Sequence, residues 1–132
     1  MKPFYQKLVT SPDHSVIFFD EEKPRFTVPW HFHPEIEILY VVKSTGTSYI
    51  GDSISSFGKG TLSIIGENVP HWWKSDERYL NGNAQEGIKA LIIQFRTEIF
   101  DTNFINIPEM SAIKELLKKS KRSTNLPSLN KA

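Results

Sequence analysis

Residues 30–42 read WHFHPEIEILYVV, and this stretch decides the fold. His31 and His33 stand two positions apart in it, so on an extended strand both imidazoles leave the same face. Glu37 keeps that parity four positions later, provided that Pro34 does not break the register. After Glu37 nearly every position is apolar, which predicts a strand that is buried on both faces, as in a barrel or a sandwich.

Short strands separated by turn signals lie on both sides of this stretch. Gly51-Asp52 stands between two runs with high strand propensity and predicts a hairpin, because glycine accepts the positive φ of a tight turn. A further turn ends at Pro70, and His71 opens the strand that follows it. The predicted strands cover residues 15–19, 25–28, 35–42, 47–50, 53–57, 61–65, 71–74 and 88–96.

The pattern changes from strands to a helix beyond the last of these runs. Met110, Ile113, Leu116 and Leu117 follow helical spacing. We expect the stripe of Met110, Ile113 and Leu117 to pack on the barrel. The expected fold class is all-β, a jelly-roll barrel with a C-terminal helical segment. The assigned segments are an N-terminal arm (1–15), the barrel (16–96), a helical appendage (97–122) and a frayed tail (123–132).

The composition is that of a single globular domain. The chain has 132 residues, of which 39% are hydrophobic and 23% are charged, enough for one core. Its 16 Lys and Arg nearly balance 15 Asp and Glu, which argues against a surface built to coat a phosphate backbone.

The lack of cysteine excludes disulfide scaffolds and thiolate metal sites. With no signal peptide and no membrane-spanning run in the sequence, we expect a cytoplasmic location and no membrane partner.

Three histidines and one glutamate form the candidate site. His31, His33 and Glu37 share one strand face and His71 comes from another strand, so the four converge if the strands form a small barrel. Three imidazoles and a carboxylate suit Zn, Fe, Mn or Ni, with positions left for water or a ligand. The alternative is that the same side chains line a polar pocket that holds no metal.

Both histidine segments resemble cupin motifs. Residues 31–42 followed by Gly46 resemble the first motif, and residues 60–65 with 69–71 resemble the second. Three stretches further resemble the N-terminal sensor domain of AraC-type transcriptional regulators, namely residues 30–35, 50–53 and 68–72. The resemblance implies the double-stranded β-helix of the cupins.

The same resemblance implies a non-enzymatic domain that senses a small-molecule effector. A sugar is the expected effector class, since aromatic rings stack on the C–H face of a sugar. Trp73 shares the inward parity of His71, whereas Trp72 points outward. The candidate ligand-binding residues are His31, His33, Glu37, His71 and Trp73, and the first four match the family's metal ligands.

Expected partners follow from the family and from the strand pattern. A full regulator of this type reaches DNA through helix-turn-helix motifs, and none is expected after Arg122, so the chain is either an excised sensor domain or a natural stub. Ile36, Ile38, Tyr40 and Val42 give the central strand an apolar outward face, which predicts a homodimer. The alternative function is a free-standing metal-dependent cupin enzyme of the dioxygenase or sugar isomerase class.

Overall fold

Short strands make up most of the chain in the computed structural model, which describes residues 2–6, 16–81, 86–96, 106–120 and 124–126. The helical elements are α1 (Glu77–Leu80), a 3-10 turn (Pro108–Met110) and α2 (Ser111–Ser120). The strands are β1 (Phe4–Tyr5), β2 (Val16–Lys23), β3 (His31–Phe32), β4 (Ile36–Lys43), β5 (Gly46–Ile50), β6 (Ser53–Phe57), β7 (Leu62–Ile65), β8 (His71–Ser75), β9 (Ile88–Phe95) and β10 (Thr124–Leu126).

The strands form two five-stranded sheets. Sheet A has the order β1-β3-β8-β5-β6, and sheet B has the order β10-β7-β4-β9-β2. Neighbouring strands are antiparallel except for β1, which runs parallel to β3. The predicted all-β class with a C-terminal helix is confirmed.

Inward-facing residues of both sheets share one apolar core. In β4 the inward positions alternate with outward ones, as the strand period requires. Phe19, Phe26 and Val69 pack against the rim of this core. Its buried members are Leu39, Val41, Ile50, Phe57, Ile65, Trp73, Ala90 and Ile92.

Two glycines shape sheet A around β5, one in the hairpin turn to β6 and one in the contact with β8. Gly51 has a φ of 58°, the left-handed conformation that the turn signal predicts. At Gly46 a Cβ atom would lie 2.2 Å from the carbonyl oxygen of Lys74, so β5 and β8 approach each other there more closely than any side chain allows. The hairpin β5–β6 therefore has the predicted position and turn.

Helix α2 covers part of the outer face of sheet B. Leu116 and Leu117 pack against a second apolar cluster, which includes Ile36 of β4. Met110 is buried as well. The expectation for Ile113 is wrong, because its side chain is 42% exposed.

Two further segments differ from the sequence analysis. Residues 25–28 are predicted as a strand but pair with no neighbour, because Pro24 and Pro29 on either side lack the N–H that a ladder requires. Phe26 packs against the core instead. Thr124–Leu126, assigned to the frayed tail, forms β10 on the edge of sheet B, paired with β7. No helix in the described ranges is long and apolar enough to cross a bilayer.

Candidate functional site

The four predicted metal ligands meet between the two sheets. His31 and His71 are direct partners across β3 and β8, and their ring centroids are 4.1 Å apart. The ring of His33 is centred 4.9 Å from that of His71. One ring nitrogen from each histidine lies within 4.8 Å of the other two. Glu37, in β4 of the opposite sheet, faces this cluster from the side.

Backbone hydrogen bonds orient all three imidazoles in the same way. In each ring, Nδ1 lies against a main-chain carbonyl oxygen two residues away along the chain. A carbonyl oxygen only accepts, so each Nδ1 carries a proton, and Nε2 of the neutral ring keeps its lone pair. The three bonds run from His31 to Pro29 at 2.6 Å, from His33 to Glu35 at 3.0 Å and from His71 to Val69 at 2.8 Å.

The Nε2 atoms of His33 and His71 are buried and have no hydrogen-bond partner. The Glu37 carboxylate oxygens lie 3.4 Å from Nε2 of His33 and 3.7 Å from Nε2 of His71. Lone pairs that face a carboxylate repel it unless a proton or a cation lies between them. Imidazole nitrogens with an anionic oxygen are a donor set that divalent first-row metals bind, so the residues present fit such an ion.

The pKa values of the site follow from burial and from the facing charges. Burial, with a smaller contribution from His71, lowers the pKa of His31 to about 4. Burial also lowers the pKa of His71. Burial opposes ionisation of Glu37, but His33, His71 and Gln94 outweigh it and hold the pKa of Glu37 at about 2. At His33 burial is likewise outweighed, and the Glu37 carboxylate raises the pKa. Near neutral pH an ionised carboxylate therefore lies beside two neutral imidazoles, the protonation states that metal ligands need.

A cavity of about 120 Å³ adjoins the histidine cluster. His31, Glu37 and Trp73 line it, so three of the five predicted ligand-binding residues reach this space. His33 and His71 are each 1% exposed and lie behind Glu37 rather than in the lining. A molecule in the cavity would thus touch the cluster through His31 and Glu37.

The two neighbouring tryptophans point in opposite directions, as their parity predicts. Trp73 is buried, and its ring meets that of Phe57 edge to face at 5.0 Å. The buried Nε1 of Trp73 has no acceptor among the described residues. Trp72 stacks on Tyr49 outside the barrel, with ring centroids 5.1 Å apart.

Gln94 is the site residue that the sequence analysis misses. It is the register partner of Glu37, and its Nε2 donates a 2.7 Å hydrogen bond to Glu37 Oε1. The signal that reveals it is a polar residue at an inward position of β9, whose other alternate positions Ile88, Ala90 and Ile92 are apolar. The other polar residues of the lining, also missed, are Gln6, Glu21, Lys23 and Thr27.

Family comparison matches residues 12–128 to the AraC-like ligand binding domain. The chain belongs to this family. It is a ligand binding domain of the kind that AraC regulators carry. A sequence comparison with curated proteins gives no match.

Comparison with solved structures matches several proteins of low sequence identity. A protein from Neisseria meningitidis, NMB1881, is 16% identical with a TM-score of 0.47, over 72% of this chain and 88% of its own. A cupin 2 conserved barrel domain protein from Rhodopseudomonas palustris is 13% identical with a TM-score of 0.45, over 68% and 57%. Oxalate decarboxylase from Bacillus subtilis is 19% identical with a TM-score of 0.41, over 67% and 24%.

Proposed function

We propose that this AraC-like domain senses a compact polar effector, which binds in the barrel cavity beside a divalent metal ion such as Zn, Fe, Mn or Ni. The observation that carries the proposal is the shared orientation of three imidazoles, whose Nε2 atoms converge next to an ionised carboxylate. When bound, the ion would supply a Lewis-acidic centre for the oxygen atoms of the effector. The residues that would hold it are His31, His33, Glu37 and His71.

The size and lining of the cavity support a small sugar-like effector. A cavity volume of about 120 Å³ favours a compact molecule. Trp73 and Phe26 offer aromatic surface for C–H groups, while Gln94 and Lys23 offer donors for hydroxyl oxygens. The unpartnered Nε1 of Trp73 adds a buried donor on a residue that lines the cavity.

The regulatory part of the proposal concerns the whole regulator. Effector binding would shift the population of domain arrangements in a cytoplasmic homodimer and reposition helix-turn-helix domains, through which DNA is contacted. Gln6, which follows β1, lines the cavity and connects the N-terminal segment to the effector. The near-neutral charge of the chain agrees with a domain that does not itself coat DNA.

Calorimetric titration of small sugars and polyols into the metal-loaded protein tests whether a compact polar effector binds. We expect at least one to bind the wild type, and Trp73→Phe to weaken it by about tenfold, since an interaction worth about 1.4 kcal/mol is lost. Trp72→Phe is the matched control and should leave affinity unchanged, because Trp72 lies outside the barrel. If no compact polar molecule binds, or both variants lose affinity equally, this assignment of the effector site is wrong.

The donor set favours one other function, a metal-dependent cupin enzyme of the dioxygenase or sugar isomerase class. An ionised carboxylate beside neutral imidazoles suits a catalytic ion as well as a sensing one. Oxygen uptake or sugar isomerisation by the metal-loaded protein, with multiple turnovers, would establish the enzyme. Saturable effector binding without turnover would favour the sensor.

A further inference from the structure

An apolar row crosses the outer face of sheet A. Tyr49 of β5 is the register partner of Trp72 in β8 and of Ile54 in β6. Trp30, just before β3, lines the same shallow cleft, whose volume is about 280 Å³. Ile54 is 70% exposed, which is unusual for a large aliphatic side chain. We call these four residues the outer row.

Among the described residues, none covers the outer row in the way that α2 covers part of sheet B. Helix α2 packs on the outer face of sheet B through Leu116 and Leu117. The cleft over the outer row is lined by the row itself and by the turn Gly51-Asp52, without any other described element. A contiguous apolar face of this kind on a small domain marks an interaction surface.

The orientation of the rings favours a protein over a sugar or a cation. Tyr49 and Trp72 are stacked at an interplanar angle of 23°, so each turns a face to the other. Nζ of Lys74 lies 5.6 Å from the centroid of the Trp72 ring and engages that ring's electrons. Sugars and cations bind ring faces, and Tyr49 and Trp72 each have a face engaged within the chain. Ring edges and the Ile54 side chain are what pack against another protein.

Two charges flank the outer row in a self-complementary way. Along β5, Thr47 is the partner of Lys74, Tyr49 follows two residues later, and the turn that carries Asp52 comes next. Asp52 and Lys74 therefore lie on opposite sides of the row. Rotation of a second copy by 180° about an axis along the row places each Asp52 near the other copy's Lys74. A net charge of +1 adds little repulsion between two copies.

We propose that a second copy of this chain docks on the outer row, sheet A against sheet A, around a twofold axis that runs along the row. Such sheet-on-sheet packing separates the backbones by about 10 Å. The proposal rests on the homodimer included in the proposed function and assigns its surface. It replaces the β4 face expected from the sequence, because α2 covers that face at Ile36 and Ile38.

Sedimentation velocity of the 132-residue chain, from about 1 to about 100 µM, tests the surface over the affinity range of modest interfaces. We expect a reversible dimer for the wild type. The dissociation constant of the dimer should rise at least about tenfold in Ile54→Asp. Phe18→Asp is the matched control, since Phe18 is 61% exposed on the outer face of sheet B. A wild-type monomer at every concentration, or a dimer that Phe18→Asp breaks and Ile54→Asp leaves intact, would overturn the proposal.

A charge swap provides a second test that does not depend on the apolar row. Asp52→Lys and Lys74→Asp should each weaken the dimer, since each places like charges opposite one another, and the double variant should restore it. Additive weakening in the double variant would contradict the twofold arrangement. None of these variants touches the barrel cavity, so metal and effector titrations in the same proteins report separately on the proposed function.

Discussion

Three short-range hydrogen bonds determine which nitrogen of each histidine faces a ligand. Each Nδ1 is bound by a carbonyl two residues away, so the rings present Nε2 to one another before any ligand arrives. A buried polar atom without a partner costs about 1–3 kcal/mol, and the Nε2 atoms of His33 and His71 are two such atoms. Such atoms lower the stability of the folded protein, and their presence in the interior is typical of functional sites.

His33→Ala tests this orientation at a single residue. The variant removes one ligand and leaves the apolar core intact, so we expect a folded protein whose metal affinity falls by more than about tenfold. The lost hydrogen bond to Glu35 and the small void should lower the free energy of unfolding by roughly 1–3 kcal/mol. Urea unfolding and metal titration measure the two effects. Unchanged metal affinity would remove His33 from the site.

Parity alone predicts which of these residues face inward. His31, His33 and Glu37 differ by even numbers of positions, and the structure keeps their common direction across Pro34. The contribution of Gln94 could not be derived in the same way, because it depends on the register between β4 and β9. Long-range register is set by the whole sheet and is not encoded in any one strand.

At the scale of the element, strands β5 and β8 approach each other closely at Gly46. We expect Gly46→Ala to destabilise the protein strongly, by more than about 2 kcal/mol, because its Cβ would overlap the backbone of β8 at Lys74. Gly58→Ala is the matched control, since the nearest atom to its Cβ, on Thr45, is 3.9 Å away. Thermal melts of the two variants should differ clearly. Equal melting temperatures would contradict the close approach.

Helix α2 should contribute to the free energy of unfolding through its second half only. Leu117→Ala is expected to lower the free energy of unfolding by about 1–3 kcal/mol, because Leu117 packs on sheet B. Ile113→Ala should change it by less than about 0.5 kcal/mol, since Ile113 is largely exposed. Denaturant titrations compare them directly. A larger effect at Ile113 than at Leu117 would mean that the first half of the helix packs on the sheet instead of the second half.

The wrong expectation for Ile113 has a positional cause. Ile113 lies one turn before Leu117 on the same side of α2, so helical spacing alone predicts that both are buried. Residues 111–115 are all exposed, however, and only Leu116 and Leu117 are half-buried against sheet B. The contact is therefore confined to the second half of the helix, and spacing within the helix does not predict where along its length a contact begins.

At the scale of the whole molecule, the two sheets have different roles. Helix α2 covers part of the outer face of sheet B, whereas sheet A carries the outer row on one face and His31 and His71 on the other. Trp30 and Trp72 are the chain neighbours of these two histidines. The strands that shape the candidate site therefore also carry the surface that we assign to the dimer.

The overall class could be predicted because alternation, turns and the change to helical spacing are local signals. The hairpin at Gly51-Asp52 and the inward direction of Trp73 follow from such signals. The pairing of Thr124–Leu126 with β7 could not be predicted, since a short polar segment has no pattern of its own and depends on the edge that it meets. The cavity likewise results from packing between sheets.

The metal content of the purified protein tests the central claim most directly. The wild type and Glu37→Gln are equilibrated with ample iron, zinc and manganese, freed of unbound metal and analysed for bound elements. We predict about one ion per wild-type chain and at least about tenfold weaker binding by Glu37→Gln, because the amide removes the charge and keeps the shape. Glu22→Gln, on the exposed side of β2, should match the wild type. A wild-type protein that retains no metal under these conditions would contradict the account.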